Sequence, residues 1–253
     1  MKLALVLAVL LVPLPARAAT DEIFAAYARG DYEQAVRMGE AARTAPGFAT
    51  AARAVLADEV LRDTPCLPCL ERAEKLARQA VAADPHHAFG QVWLSVALGY
   101  QSRIIGAVKA RLKDMPHQSR TALDTAVADE PNNPFAVSAL GGWHIEVVRG
   151  GGAPLARLFY GARESDAIAL FDRAVRLAPD NVAVRYQIGL SLAGFDPEKY
   201  RARIAAELKA AVTAAPATAY EKRIQARAQD LLELQNQRQA FDLQVRKYQG
   251  FPD

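Results

Sequence analysis

The sequence has little cysteine, little histidine and few runs of β-branched residues, and each shortage narrows the possibilities. Cys66 and Cys69 are its only cysteines, and His86, His87, His117 and His144 its only histidines. A zinc site would need two ligands beyond the cysteine pair, and no histidine stands at finger spacing from it. Haem attachment would need a histidine after Cys69, where Leu70 stands. HExxH and GxSxG are absent, and no carboxylate pair is set apart from ordinary surface charge. The expectation is therefore a protein that is not an enzyme and carries no cofactor. A near-match to the zinc deaminases, His144-Ile145-Glu146 with Pro65-Cys66-Leu67-Pro68-Cys69, runs in reverse order and is discounted. Gly150-Gly151-Gly152 lacks the following Lys-Ser/Thr of a phosphate loop.

Charge of one sign is also lacking. The precursor carries 31 basic and 28 acidic residues. Near-neutrality gives little reason to expect a nucleic-acid partner. Residues 21–63 lean acidic and residues 199–247 lean basic, as solvated helix faces commonly do.

What is present begins at the N-terminus. Lys2 precedes an apolar run from Leu3 to Leu14, and Ala16-Arg17-Ala18 offers small residues at the positions that a signal peptidase reads. Residues 1–18 read as a signal peptide cleaved between Ala18 and Ala19. The run is too short to cross about 30 Å of hydrocarbon at ~1.5 Å per residue. No cysteine follows the cleavage point, which argues against a lipoprotein. Export to the periplasm is the expectation.

Four alanine-rich apolar segments end in proline at Pro85, Pro131, Pro179 and Pro216, at spacings of 46, 48 and 37 residues. A proline ends each helix, and small residues allow close helix contact. Upstream, Trp93-x2-Val96-Ala97-x2-Tyr100, Leu140-Gly141 and Ile188-Gly189 occupy equivalent places, and Gly30-Asp31-Tyr32 opens an earlier unit. The pattern predicts an all-α, right-handed solenoid of antiparallel helical hairpins over residues 19–216. Two hairpins are lengthened by insertions, and a long C-terminal capping helix and tail fill residues 217–253. Large residues on the first helix should fill gaps left by small ones on the second.

These motifs resemble the tetratricopeptide repeat (TPR) superfamily over most of the mature chain. Three segments beginning at Trp93, Asn133 and Ala217 resemble more closely the regulator of microtubule dynamics proteins and their bacterial relatives. The TPR resemblance implies a concave groove lined by first-helix residues: Gln91, Leu94, Leu98 and Gln101, then Ser138, Gly142 and Ile145, then Tyr186 and Leu190. That mixed, largely apolar set implies an apolar peptide, helix or lipid-like ligand. The leading expectation is an exported scaffold binding a partner protein or peptide in the groove. The alternative is a periplasmic protein binding a lipid or small hydrophobic ligand.

Three further features remain open. For Cys66 and Cys69 a local disulfide is the simpler reading in an oxidising compartment, and a redox-active dithiol the alternative. Ile104, Ile105, Val108, Leu112 and Met115 with flanking Lys and Arg read as core, or as a face lying on an anionic membrane surface. Leu155, Leu158, Phe159 and Tyr160 after the glycines read as a packed short helix or as a flap over a groove.

Overall fold

The computed structural model describes residues 16–62 and 64–251. Residues 1–15, which carry most of the signal-peptide pattern, lie outside the described residues. Ala18 and Ala19 fall in the first turn of the first helix.

Among the described residues the chain is helical without strands. Five antiparallel hairpins follow one another: α1 (Ala16–Arg29) with α2 (Tyr32–Ala42), α3 (Ala45–Val60) with α4 (Leu67–Ala83), α5 (Ala88–Ile105) with α7 (Met115–Asp129), α8 (Pro134–Gly151) with α10 (Glu164–Leu177), and α11 (Val182–Phe195) with α12 (Arg201–Thr213). The insertions are two short helices, α6 (Ala107–Leu112) and α9 (Ala153–Tyr160), inside the third and fourth hairpins. The C-terminal segment turns at residues 235–237, giving α13 (Ala219–Leu234) and α14 (Arg238–Tyr248). None of the described helices is long and apolar enough to cross a membrane.

The prolines mark a repeated turn. Two residues after each of Pro85, Pro131 and Pro179, a side chain caps the next helix. His87 Nδ1 accepts from the Gly90 N–H at 3.1 Å, Asn133 Oδ1 from those of Phe135 and Ala136, and Asn181 Oδ1 from that of Val184. Each cap satisfies donors that a helix start leaves bare. Thr218 opens α13 with a capping box completed by Glu221.

Packing inside the hairpins reverses the expected polarity at two places. A methyl on Gly141 of α8 would sit 2.7 Å from the Phe171 ring of α10, and one on Gly189 of α11 would sit 3.0 Å from Leu208 of α12. The small residue of the Leu-Gly and Ile-Gly pairs is thus on the first helix. A large residue of the second helix drops into the space that it leaves.

Cys66 and Cys69 form a disulfide at the start of α4, with Cα atoms 5.2 Å apart. The Glu59 carboxylate accepts from the Cys66 N–H at 2.9 Å. The bridge closes a four-residue loop, for which chain entropy allows at most about 2 kcal/mol. Replacing both cysteines with serine should lower stability by no more than that in a urea titration.

Candidate functional site

The first helices of the hairpins lie side by side and form the inner face of the solenoid. In an open solenoid this face would be a groove. Here α13 crosses part of it, and residues 249–251 after α14 pack against its edge. Tyr220 of α13 packs among side chains from three core clusters. Arg227 donates from Nη1 to the Val60 carbonyl at 2.8 Å and from Nη2 to that of Leu61 at 2.9 Å, closing the last turn of α3. After α14, Gln249 Nε2 donates to the Leu190 carbonyl at 3.1 Å, and Arg103 donates to the Gln249 carbonyl at 2.7 Å. The Gln249 side chain occupies space that a side chain on Gly194 would fill.

Under this closure lies a cavity of about 210 Å³. Its wall is a stripe from each first helix: Val92, Trp93, Val96, Gly99, Tyr100 and Arg103 on α5; Phe135, Ser138, Gly142, Trp143 and Glu146 on α8; Ala183, Val184, Gln187 and Ser191 on α11. Within each stripe the residues recur at three and four, the spacing of one helix face. Tyr27, Arg53, Leu56, Ala57, Val60, Ser119 and Tyr220 complete it, with Ser95 of α5 and Ala139 of α8.

Trp93 and Arg103 stand about 15 Å apart along α5 at ~1.5 Å per residue, so the cavity has two distinct polar features. Near Trp93, the Arg53 guanidinium lies 4.3 Å from the Tyr27 ring centre, 5.3 Å from that of Trp93 and 5.7 Å from that of Phe135. No carboxylate forms an ion pair with Arg53 among the described residues. Burial raises the Tyr27 phenol above its ordinary value, with Arg53 pulling the other way. Near Arg103, the Glu146 carboxylate pairs with Arg103 at 3.2 Å and with Arg149 at 2.5 Å. Burial pushes the Glu146 carboxyl up, but the two guanidiniums outweigh it and hold the group below its usual range. One polar feature is therefore a carboxylate shared by two guanidiniums, and the other is a cation held by aromatic faces with no carboxylate partner among the described residues.

Of the groove residues inferred from the TPR resemblance, Ser138 and Gly142 line the cavity. The others face between helices. Gln91 donates to the Pro85 carbonyl, and Gln101 donates to Glu74 and to the Leu70 carbonyl of α4. Leu94 and Leu98 are core with α3 and α4, and Ile145, Tyr186 and Leu190 are core of the C-terminal half. Most of these positions sit one residue before or after the cavity stripe. A single residue turns ~100° around a helix at about 3.6 residues per turn, so the inferred register put core on the groove. The shift arises because Trp93, taken as a packing position, itself faces the cavity. Arg53 and Arg103 carry no repeat motif: Arg53 is held by rings from three hairpins, and Arg103 reaches the distant Gln249.

His144 is not beside the cysteines as a ligand. Its Nδ1 accepts from the Arg163 N–H at 3.1 Å. Burial lowers the pKa of His144 and of His87, whose Nδ1 is also an acceptor. Protonation removes both acceptors. Each folded pKa lies below the unfolded one, so the stabilisation is present above about pH 6.5 and is lost as pH falls toward the folded values. The midpoint of thermal unfolding should drop between pH 7 and pH 5 (roughly the range of histidine titration), and the drop should shrink in H87N/H144Q.

Among the described residues, Glu59, Cys66 and Cys69 are the one group of three potential metal ligands, and the two sulfurs are bonded to each other.

Stacked hairpins whose inner face is built from first helices define a TPR-like helical scaffold. Its fold is similar to the crystal structure of a thermophilic TPR protein in Thermus thermophilus, with a TM-score of 0.56 and 19% identity over 85% of this chain and 99% of that one. The chain belongs to the regulator of microtubule dynamics protein 1-3 family, whose profile matches residues 62–236. A monomeric mutant of IFIT1, solved with Gppp-AAAA, aligns with a TM-score of 0.47 and 14% identity over 93% of this chain and 58% of that one. No curated protein matches the chain.

Proposed function

We propose that this protein is an exported, non-catalytic binding scaffold whose partly covered inner face takes a small amphipathic ligand. The observation that carries this reading is the cavity itself, apolar over most of its wall and partly covered by α13, with Arg53 facing it free of any carboxylate partner among the described residues. Pockets that enclose drug-sized ligands run to about 300–1,000 Å³, so a body of modest size suits it. Aromatic faces and one cation favour an apolar chain or ring ending in an anionic group. Octanoate, an unlabelled medium-chain carboxylate followed by titration calorimetry, is the probe. It should bind, and R53Q should weaken it at least about tenfold, as loss of a charged hydrogen bond does. No saturable binding would overturn the reading.

A partner protein or peptide on the inner face is the second reading, and the TPR-like fold supports it. It requires α13 to leave, exposing Tyr220 and breaking both Arg227 bonds. Export rests on the Lys2 to Ala19 pattern, and the Cys66–Cys69 bridge fits an oxidising compartment. A periplasmic fraction containing a chain that begins at Ala19 is the expected result. A cytosolic chain that retains Lys2 would contradict export.

A further inference from the structure

The two insertion helices are not needed to complete a hairpin, and they carry most of the exposed large apolar side chains among the described residues. Of seven such side chains among the described residues, five are here: Val108 (76% exposed) and Leu112 (82%) on α6, with Leu155 (53%), Leu158 (74%) and Phe159 (49%) on α9. Clustering separates them from the singly scattered apolar residues normal on any surface. Val108 and Leu112 are four apart, and Leu158 and Phe159 follow Leu155 by three and four, so each helix presents one apolar face.

The two helices adjoin. The Arg111 guanidinium lies 4.9 Å from the Phe159 ring centre, and the His117 ring lies 4.8 Å from that of Tyr160. Each helix is entered through a glycine of the same unusual conformation, Gly106 at φ 84° and ψ 156° and Gly152 at φ 75° and ψ 152°. That conformation is open to glycine and strained for other residues. Two consecutive repeats thus turn the chain outward in the same way to place a short helix at one edge.

The charge around the faces has one sign. Residues 106–117 and 152–163 hold Lys109, Arg111, Lys113, Arg157 and Arg163 against one carboxylate, Asp114, which pairs with His117 at 2.6 Å. Lys109, Arg111, Lys113 and Arg157 are exposed. At ~1.5 Å per residue the helices are about 9 and 12 Å long. Their joint footprint is far below the roughly 800 Å² per partner of a stable protein interface. Shallow apolar prongs within a basic rim match a bilayer surface, where apolar side chains enter the acyl boundary and cations meet lipid phosphates.

We propose that α6 and α9 together form a docking surface for an anionic phospholipid membrane. This is independent of what the cavity holds. The experiment is co-sedimentation of the purified chain with phosphatidylcholine vesicles, with and without phosphatidylglycerol. Binding should require the anionic lipid and weaken at high salt. L112S/L158S should weaken it at least about tenfold, K109Q/K113Q/R157Q should do the same, and L243S, at an exposed apolar residue of α14, should leave it unchanged. All of these side chains are at the surface, so the fold is retained, which circular dichroism checks. Equal binding to both vesicles, or binding indifferent to L112S/L158S, would overturn the proposal. So would a dimer in light scattering that L112S/L158S dissolves, because the faces would then be covered by a second copy.

Discussion

Replacing Arg227 with alanine should cost about 3 kcal/mol. The side chain is buried, its two donors close the carbonyls of Val60 and Leu61, and its guanidinium stacks 4.4 Å from the Tyr248 ring centre. Deletion leaves two acceptors at a helix C-terminus without protein partners, at ~1–3 kcal/mol each, partly relieved by entering water. It also removes a cation from the negative end of α3. Lysine restores the charge but cannot form the fork, so R227K should recover less than half of the loss. The urea midpoint measures the cost, and amide exchange over residues 219–234 shows where it falls. Exchange should accelerate in α13 before the rest of the chain. A loss under about 1 kcal/mol would mean that the closure is held elsewhere.

Filling the cavity should separate binding from stability. A methyl on Gly99 would meet no atom within 4 Å, and the residue is helical with negative φ. Phenylalanine there faces the cavity without backbone strain. Removing a glycine from a helix interior gains up to about 1 kcal/mol, and the ring buries apolar surface on folding. G99F should therefore unfold at the same temperature or higher. Ligand binding should fall by about 100-fold or more, because the ring takes the volume that a ligand needs. A variant that folds normally and binds normally would place the ligand outside this cavity.

Much of the architecture was legible in the sequence because its causes are local. A proline followed two residues later by His87, Asn133 or Asn181 stops one helix and caps the next. The excess spacing between Pro85, Pro131 and Pro179 located the insertions that became α6 and α9. The site was less legible for two reasons. Motif matching fixed which helices face inward but not their rotation, and an error of one residue moved Leu94, Leu98, Ile145 and Leu190 from core to groove. The closure is also long-range. Arg227 reaches Val60 across 167 residues, and Arg103 reaches Gln249 across 146. The C-terminal segment packs on α11 and α12 as a capping helix does, but nothing in its local pattern shows that α13 also reaches α1 and the end of α3. The apolar stripe of the third hairpin was likewise divided by the fold. Met115 is core, whereas Val108 and Leu112 are exposed.

The inner face of this scaffold holds a partly enclosed cavity, and the central claim is the proposal that it takes a small ligand. Native mass spectrometry of the protein purified from its own host tests it most directly. The expected result is one small non-protein molecule per chain, released on unfolding and missing from G99F. A stoichiometric polypeptide, bound equally by wild type and G99F, would contradict it.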